Sequence, residues 1–304
     1  MTDNRNHLSR PSSIQTQEGR AADDEWHTVS ATDKKRVMRK KATRQRRKNG
    51  SAVAHPTAEL VDAVEEISRL DMIVEKCRAA LRETKMYQLI LRATLQSPTH
   101  EHQEGFTPHS ILCYGLGNFS KTHEKHFSAS MWQLACLLQL RHDFISSVKR
   151  KNTKNRTGNK SSDKNDDGDN SLVDVYFYDP VSTAVEVEFL TRHHNVSVLE
   201  HDEEGQRKVD AGTFVFLPHC PAILYENLLH ANDTFPKSCM LMGNSIRNFC
   251  DALTPPTVEI DTLRARVDSL DETQLSIDDG QLGDFDKAFN DTYIIREKQQ
   301  SPNE

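Results

Sequence analysis

Hydrophobic and polar positions fall into distinct regimes along the chain. Between residues 57 and 96, Leu60, Val64, Ile67, Leu70, Val74, Cys77 and Leu81 recur at spacings of three and four, and Leu89 and Leu95 extend the series. That period predicts an amphipathic helix, either one long helix or a pair broken near Thr84, ended by Ser97-Pro98. The heptad is too short-lived for a coiled-coil seam, so the stripe is expected to pack against the domain that follows. From Ile111 the pattern changes to short apolar runs, several without polar alternation, as in strands buried on both faces. Five runs, at 111–114, 173–179, 196–199, 213–217 and 239–242, alternate with helical stretches at 128–145, 182–195 and 222–232 and a short one through Leu253. Ser182 is the expected N-cap of the second helical stretch, and Pro221 suits the first turn of the third.

Strands alternating with helices predict an α/β fold, a Rossmann-like three-layer sandwich on a mostly parallel five-stranded sheet. That domain spans 105–253 and follows the helical segment 57–98. Residues 1–56 and 254–304 lack sustained periodicity and are expected to be disordered tails, the second with a helix near 258–272. A third disordered stretch, 149–171, interrupts the domain with a basic block and then an acidic one.

Composition supports a single domain, because with 36% hydrophobic residues part of the chain can join no core. The net charge of −6 hides an uneven spread. Residues 1–50 hold thirteen Lys and Arg against six Asp and Glu, a net +7, and residues 251–304 hold five against thirteen, a net −8. No run approaches the roughly 18 apolar residues of a membrane span, and the N-terminus has no apolar core of a secretory signal. The six cysteines form no C-x-x-C pair and sit mostly in apolar runs, as buried, reduced thiols of the cytosol or nucleus do. No metal site is expected. His100, His102 and His109 fall in a polar link, and Asp163, Asn165, Asp167, Gly168 and Asp174 match a calcium loop only in part, without its bidentate Glu or lead-in helix.

Basic residues concentrate in one arm: Lys34, Lys35, Arg36, Arg39, Lys40, Lys41, Arg44, Arg46, Arg47 and Lys48. This is either a nuclear-import signal, a nucleic-acid-binding arm or a plain solvated tail. It holds no aromatic on which a base could stack.

Chemistry would gather at the C-terminal ends of the strands, where parallel sheets bind ligands. The residues there are Gly115, Gly117 and Asn118; Asp179; Glu200; His219 and Cys220; and Gly243, Asn244 and Ser245. The plain alternative is that turns and caps need such residues anyway. Gly115-x-Gly117 begins a nucleoside-binding fingerprint without its third Gly, with Asp179 placed to hold a ribose, as in an S-adenosylmethionine-type transferase. His219-Cys220 invites a nucleophile reading, although neighbours at a strand end point apart. Cys220-Pro221 is also a pair that recurs where a thiolate ligates haem. In the long loop after the first strand, Lys121, His123, Lys125 and His126 could meet an anion.

Taken in order, Cys113-Tyr-Gly-Leu-Gly-Asn-Phe119, Gln133-Leu-Ala135, Tyr178-Asp-Pro180, Glu203-Glu-Gly205, Pro218-His-Cys220 and Gly243-Asn-Ser245 resemble the sensitivity-to-red-light-reduced, or SRR-like, family over about residues 105–252. The resemblance implies a regulatory protein rather than an enzyme, working with a protein partner or a small ligand. It also implies roles in circadian-clock input and, in animals, in haem biosynthesis and clock-gene expression, in cytoplasm and nucleus. No catalytic residue comes with it.

Overall fold

A computed structural model describes residues 56–95, 106–121, 128–156, 173–232, 239–252, 259–275 and 284–298. The basic arm, His100, His102, His123, Lys125, His126 and the first four residues of the calcium-like pattern lie outside the described residues.

The five apolar runs become five parallel strands, β1 (Ser110–Tyr114), β2 (Asp174–Tyr178), β3 (Ser197–Val198), β4 (Thr213–Leu217) and β5 (Met240–Gly243), side by side in the order β3-β2-β1-β4-β5. All five residues of β1 and all five of β4 are buried, as continuous apolar runs require. The sheet, however, has seven strands rather than five. β6 (Leu270–Gln274) and β7 (Tyr293–Glu297) add antiparallel at the β5 side, completing β5-β7-β6. Both come from the stretch expected to be a disordered tail. β6 is an edge strand that fully buries only Leu270, so its sequence carries no apolar run.

Helices cover both faces of the sheet. One face carries α1 (Pro56–Arg82), α2 (Lys85–Leu95), α3 (Ala129–Arg156), α4 (Ala184–Glu188) and α8 (Phe285–Phe289), whose buried side chains share a core with Ile111, Cys113, Phe214 and Phe216. The other carries α5 (Ala222–Ala231), α6 (Ile246–Ala252) and α7 (Asp261–Arg266), packed on Leu112, Val215, Leu217 and Leu241. Alternate residues of β1 and β4 thus serve opposite layers, as the period of a strand dictates.

The N-terminal segment is a helix pair. Thr84 makes the break: its hydroxyl donates to Leu81 O and accepts the Tyr87 N–H, capping α2. Ile67, Leu70, Val74, Cys77 and Leu81 are buried in the common core, as the stripe predicts. Val64 and Leu89 are exposed. The break resets the helical phase, so that α2 buries Met86, Tyr87, Ile90 and Thr94 instead.

Two other boundaries differ from expectation. α3 continues through 149–156, into the segment assigned to a disordered insertion; 157–171 lies outside the described residues. α4 is capped by Thr183 rather than Ser182, because Thr183 has Glu186 three residues on: the Thr183 hydroxyl accepts the Glu186 N–H, and the Glu186 carboxylate accepts the Thr183 N–H. A wider π-turn, Phe189–His193, continues α4.

Candidate functional site

The four strands β2, β1, β4 and β5 deliver their exits to one edge of the sheet, and the exits touch. After β1 the chain turns through Gly115 and Gly117, both in the left-handed region (φ +72° and +79°). A Cβ on Gly115 would lie 2.7 Å from the Cys220 sulphur after β4. The Gly117 N–H donates to Asp179 Oδ2 at the end of β2 (2.6 Å), while Asp179 Oδ1 accepts the Val181 N–H (2.8 Å). Three residues on, the Ser120 N–H donates to Glu186 Oε1 (2.7 Å), and Glu186 Oε2 accepts the Thr183 N–H (2.7 Å). Asn118 Oδ1 closes the loop on itself, accepting from Lys121 N and Ser120 Oγ (both 3.2 Å).

The same device recurs after β5. Ser245 Oγ donates to Glu272 Oε2 of β6 (2.6 Å), and the N–H groups opening α6, those of Ile246 and Arg247, donate to Glu272 Oε1 (2.8 and 3.2 Å). Glu226 likewise accepts from the Thr262 and Leu263 N–H groups at the start of α7 (2.9 Å each). A turn or helix start that binds phosphate leaves such N–H groups aimed at the ligand. Here carboxylates of the chain itself occupy these N–H groups.

β4 and β5 are joined by Tyr225. Its hydroxyl donates to Leu217 O (2.7 Å) and accepts the Asn244 N–H (2.7 Å), and burial pushes the phenol pKa well above the ordinary value. Gly243 leaves room for that hydroxyl, since a Cβ there would stand 2.2 Å from it. His219 is an exposed residue with φ 53°, its Nε2 lying 3.0 Å from Ala288 O of α8, a carbonyl that also accepts from Gln133 Nε2 (2.9 Å). Cys220 Sγ instead donates to Tyr114 O (3.2 Å) and is buried. The two side chains therefore serve different partners, and the sulphur sits boxed between the Tyr114 carbonyl and Gly115. Glu200 is exposed beyond β3, on the outer side of β2.

Sequence reasoning missed Glu186, Glu272 and Tyr225, along with a cluster that holds the loop after β3. Tyr114 OH donates to Glu203 Oε2 (3.0 Å), Arg207 pairs with both oxygens of Glu203 (2.7 and 2.8 Å), and its guanidinium lies 4.9 Å from the centre of the Tyr176 ring. Arg207 holds the Glu203 carboxyl below the usual carboxylate range, against a smaller upward push from burial. The Thr183–Glu186 spacing was the one available signal, as a capping box.

Among the described residues no three His, Cys, Asp or Glu side chains gather as metal ligands, and no helix is long and apolar enough to cross a membrane.

Comparisons with known proteins find similarity at the level of sequence. The model of the SRR1 domain matches residues 91–296, reaching past both ends of 105–253 to take in part of α2 and nearly all of the β6–β7 segment. The mouse "SRR1-like protein" is 28% identical over 260 residues, covering 77% of this chain and 89% of the mouse protein. The Arabidopsis thaliana protein "SENSITIVITY TO RED LIGHT REDUCED 1" is 30% identical over 142 residues, 46% of this chain and 40% of the plant protein. A crystal structure of a Corynebacterium glutamicum protein aligns over 77% of this chain and 92% of its own with 12% identity and a TM-score of 0.36, a likeness too slight to build on.

Proposed function

The chain belongs to the SRR1 family, and on that premise we propose that it is a regulatory protein whose strand-exit edge receives a protein partner or a small ligand without phosphate. One observation carries this reading: Asp179, Glu186 and Glu272 already accept the backbone N–H groups that a nucleotide would need. A phosphate brought within about 4 Å of one such carboxylate meets a repulsion of about 1 to 4 kcal/mol, depending on local screening. The ribose role expected of Asp179 competes with its two backbone partners. These contacts weigh against the transferase reading. The boxed sulphur of Cys220 weighs against haem ligation there.

The family's association with clock input and haem biosynthesis supplies the outputs, and the basic arm at 34–48 supplies nuclear import, with nucleic-acid contact as the alternative. A thermal-shift screen of the full chain with ATP, NAD, S-adenosylmethionine and hemin tests the ligand class. ATP and NAD are expected to give no rise in Tm that Asp179→Asn removes. A rise with a nucleoside ligand that Asp179→Asn removes would favour the transferase, and a Soret band lost in Cys220→Ser would favour haem. In cells, disrupting the gene is expected to alter rhythm period and haem-synthesis transcripts; unchanged values of both would refute the regulatory outputs. Deleting residues 34–48 should shift the protein out of the nucleus.

A further inference from the structure

At the opposite end of the strands, on the face that carries α3, lies an open depression of about 360 Å³. Arg78, Arg141, His142, His193 and His194 ring it, and Leu138 and Ile145 supply its apolar lining. Its place is fixed by Arg141, a buried residue whose Nε donates to Val173 O just before β2 (2.9 Å) and whose Nη1 donates to His194 O just before β3. No Asp or Glu lines the depression. Three carboxylates stand behind it, beside the arginine and the imidazoles. Glu75 holds Arg78 Nη1 (2.5 Å), Asp71 lies 3.4 Å from a ring nitrogen of both His193 and His194, and Asp143 lies 3.2 Å from His142 Nδ1. Asp143 is itself fixed by the Tyr87 hydroxyl (2.6 Å). Arg78 Nε is spent on Gln139 Oε1 (3.0 Å), which leaves Nη2 of both Arg78 and Arg141 without a hydrogen-bond partner among the described residues.

The backbone is unusual at the same place. The π-turn Phe189–His193 runs straight into the lining, and Asn195, also in the lining, has φ 48°. Regular α-helix is cheaper than a π-turn, and positive φ costs a non-glycine residue, so both features concentrate where geometry serves a site. Here they bring His193, His194 and Asn195 to the arginines.

We propose that this depression binds a small phosphate monoester, its head between Arg78 and Arg141 and its organic part against Leu138 and Ile145. Two permanent cations converging from different helices, with three imidazoles around them, match the three oxygens of a dianion. A carboxylate would be satisfied by one guanidinium. The volume suits a small ligand, and the site stands apart from the strand-exit edge, so it succeeds or fails independently of that reading.

The test is calorimetric titration of the full chain with inorganic phosphate and with hexyl phosphate, and co-sedimentation with vesicles containing phosphatidic acid. Hexyl phosphate is expected to bind more tightly than inorganic phosphate. Arg78→Gln should weaken it about tenfold, as loss of a charge-assisted bond does, Arg78→Lys should restore part, and the exposed-site variant His142→Ala should weaken it less. Binding of hexyl phosphate without vesicle binding assigns the head to a soluble ester; vesicle binding lost in Arg78→Gln assigns it to a lipid. If neither probe binds, or binding is equal in parent, Arg78→Gln and His142→Ala with unchanged Tm, the proposal is wrong.

Discussion

Replacing Glu186 by Ala removes the carboxylate that ties the β1 loop to the start of α4. It strands two backbone donors, Ser120 N–H and Thr183 N–H, each now 2.7 Å from an oxygen. A buried donor left unpaired costs about 1–3 kcal/mol. Both donors lie in half-buried residues that water can partly reach, so the lower half of that range applies to each, about 3 kcal/mol together. For a domain of this size that corresponds to a fall in Tm of about 6–12 °C. Glu186→Gln keeps one accepting oxygen and turns an N–H₂ toward the other donor, so it should fall between parent and Ala. Urea unfolding gives the free energies, and amide exchange at Ser120 reports the loop directly, slow in the parent and fast in Ala. A Glu186→Ala chain within about 0.5 kcal/mol of the parent, the scatter of ordinary surface changes, would refute the claim that internal carboxylates hold the strand-exit turns.

Gly243→Ala should cost about 2–4 kcal/mol, because its Cβ displaces the Tyr225 hydroxyl. In a double-mutant cycle with Tyr225→Phe the two losses should sum to more than the double variant loses, and strict additivity would contradict the steric account. Arg207 lowers the Glu203 carboxyl, so this pair stabilises the fold above the ordinary carboxylate pKa of about 4.3 and its contribution is lost as pH falls through the lower folded value. Both side chains are about three-tenths exposed, so the effect is small and screened; Arg207→Gln should flatten the acid limb of the stability curve, and an identical limb would count against the pairing. A chain ending at residue 258 should lose cooperative unfolding, since Phe285, Phe289, Ile294 and Ile295 are buried and each contributes about 1.5–3 kcal/mol. An unchanged Tm in that chain would restore the view of 254–304 as a tail.

The parallel half of the sheet was legible because strands covered on both faces read as continuous apolar runs, and 111–114 and 214–217 do. β6 was not, because only one of its residues needs to be apolar at an edge. β7 offers two adjacent isoleucines amid charge, too short a run to stand out beside so many Asp residues. At the site, the glycines announced themselves through their type, and Gly115 and Gly117 do take the positive φ that a turn demands. Gly243 is glycine for a different reason, the room it leaves for Tyr225, and nothing in its neighbours reveals that. Beyond the capping-box spacing of Glu186, neither Glu186 nor Glu272 could be read as a site residue, because most of their partners are backbone N–H groups, 66 and 26 residues away in the cases of Ser120 and Ile246, and every residue but proline presents the same group.

The two outer strands have a consequence for how copies of the molecule meet. At one margin stands β3, two residues long, and at the other β6, whose Asp271 and Glu272 are followed by exposed Thr273 and Gln274. Neither margin gives a stray strand a long, uncharged ladder to join, and β7 keeps the apolar flank of Met240–Gly243 out of reach. Among the described residues, then, neither margin of the sheet offers crowded copies an edge along which to stack into ribbons.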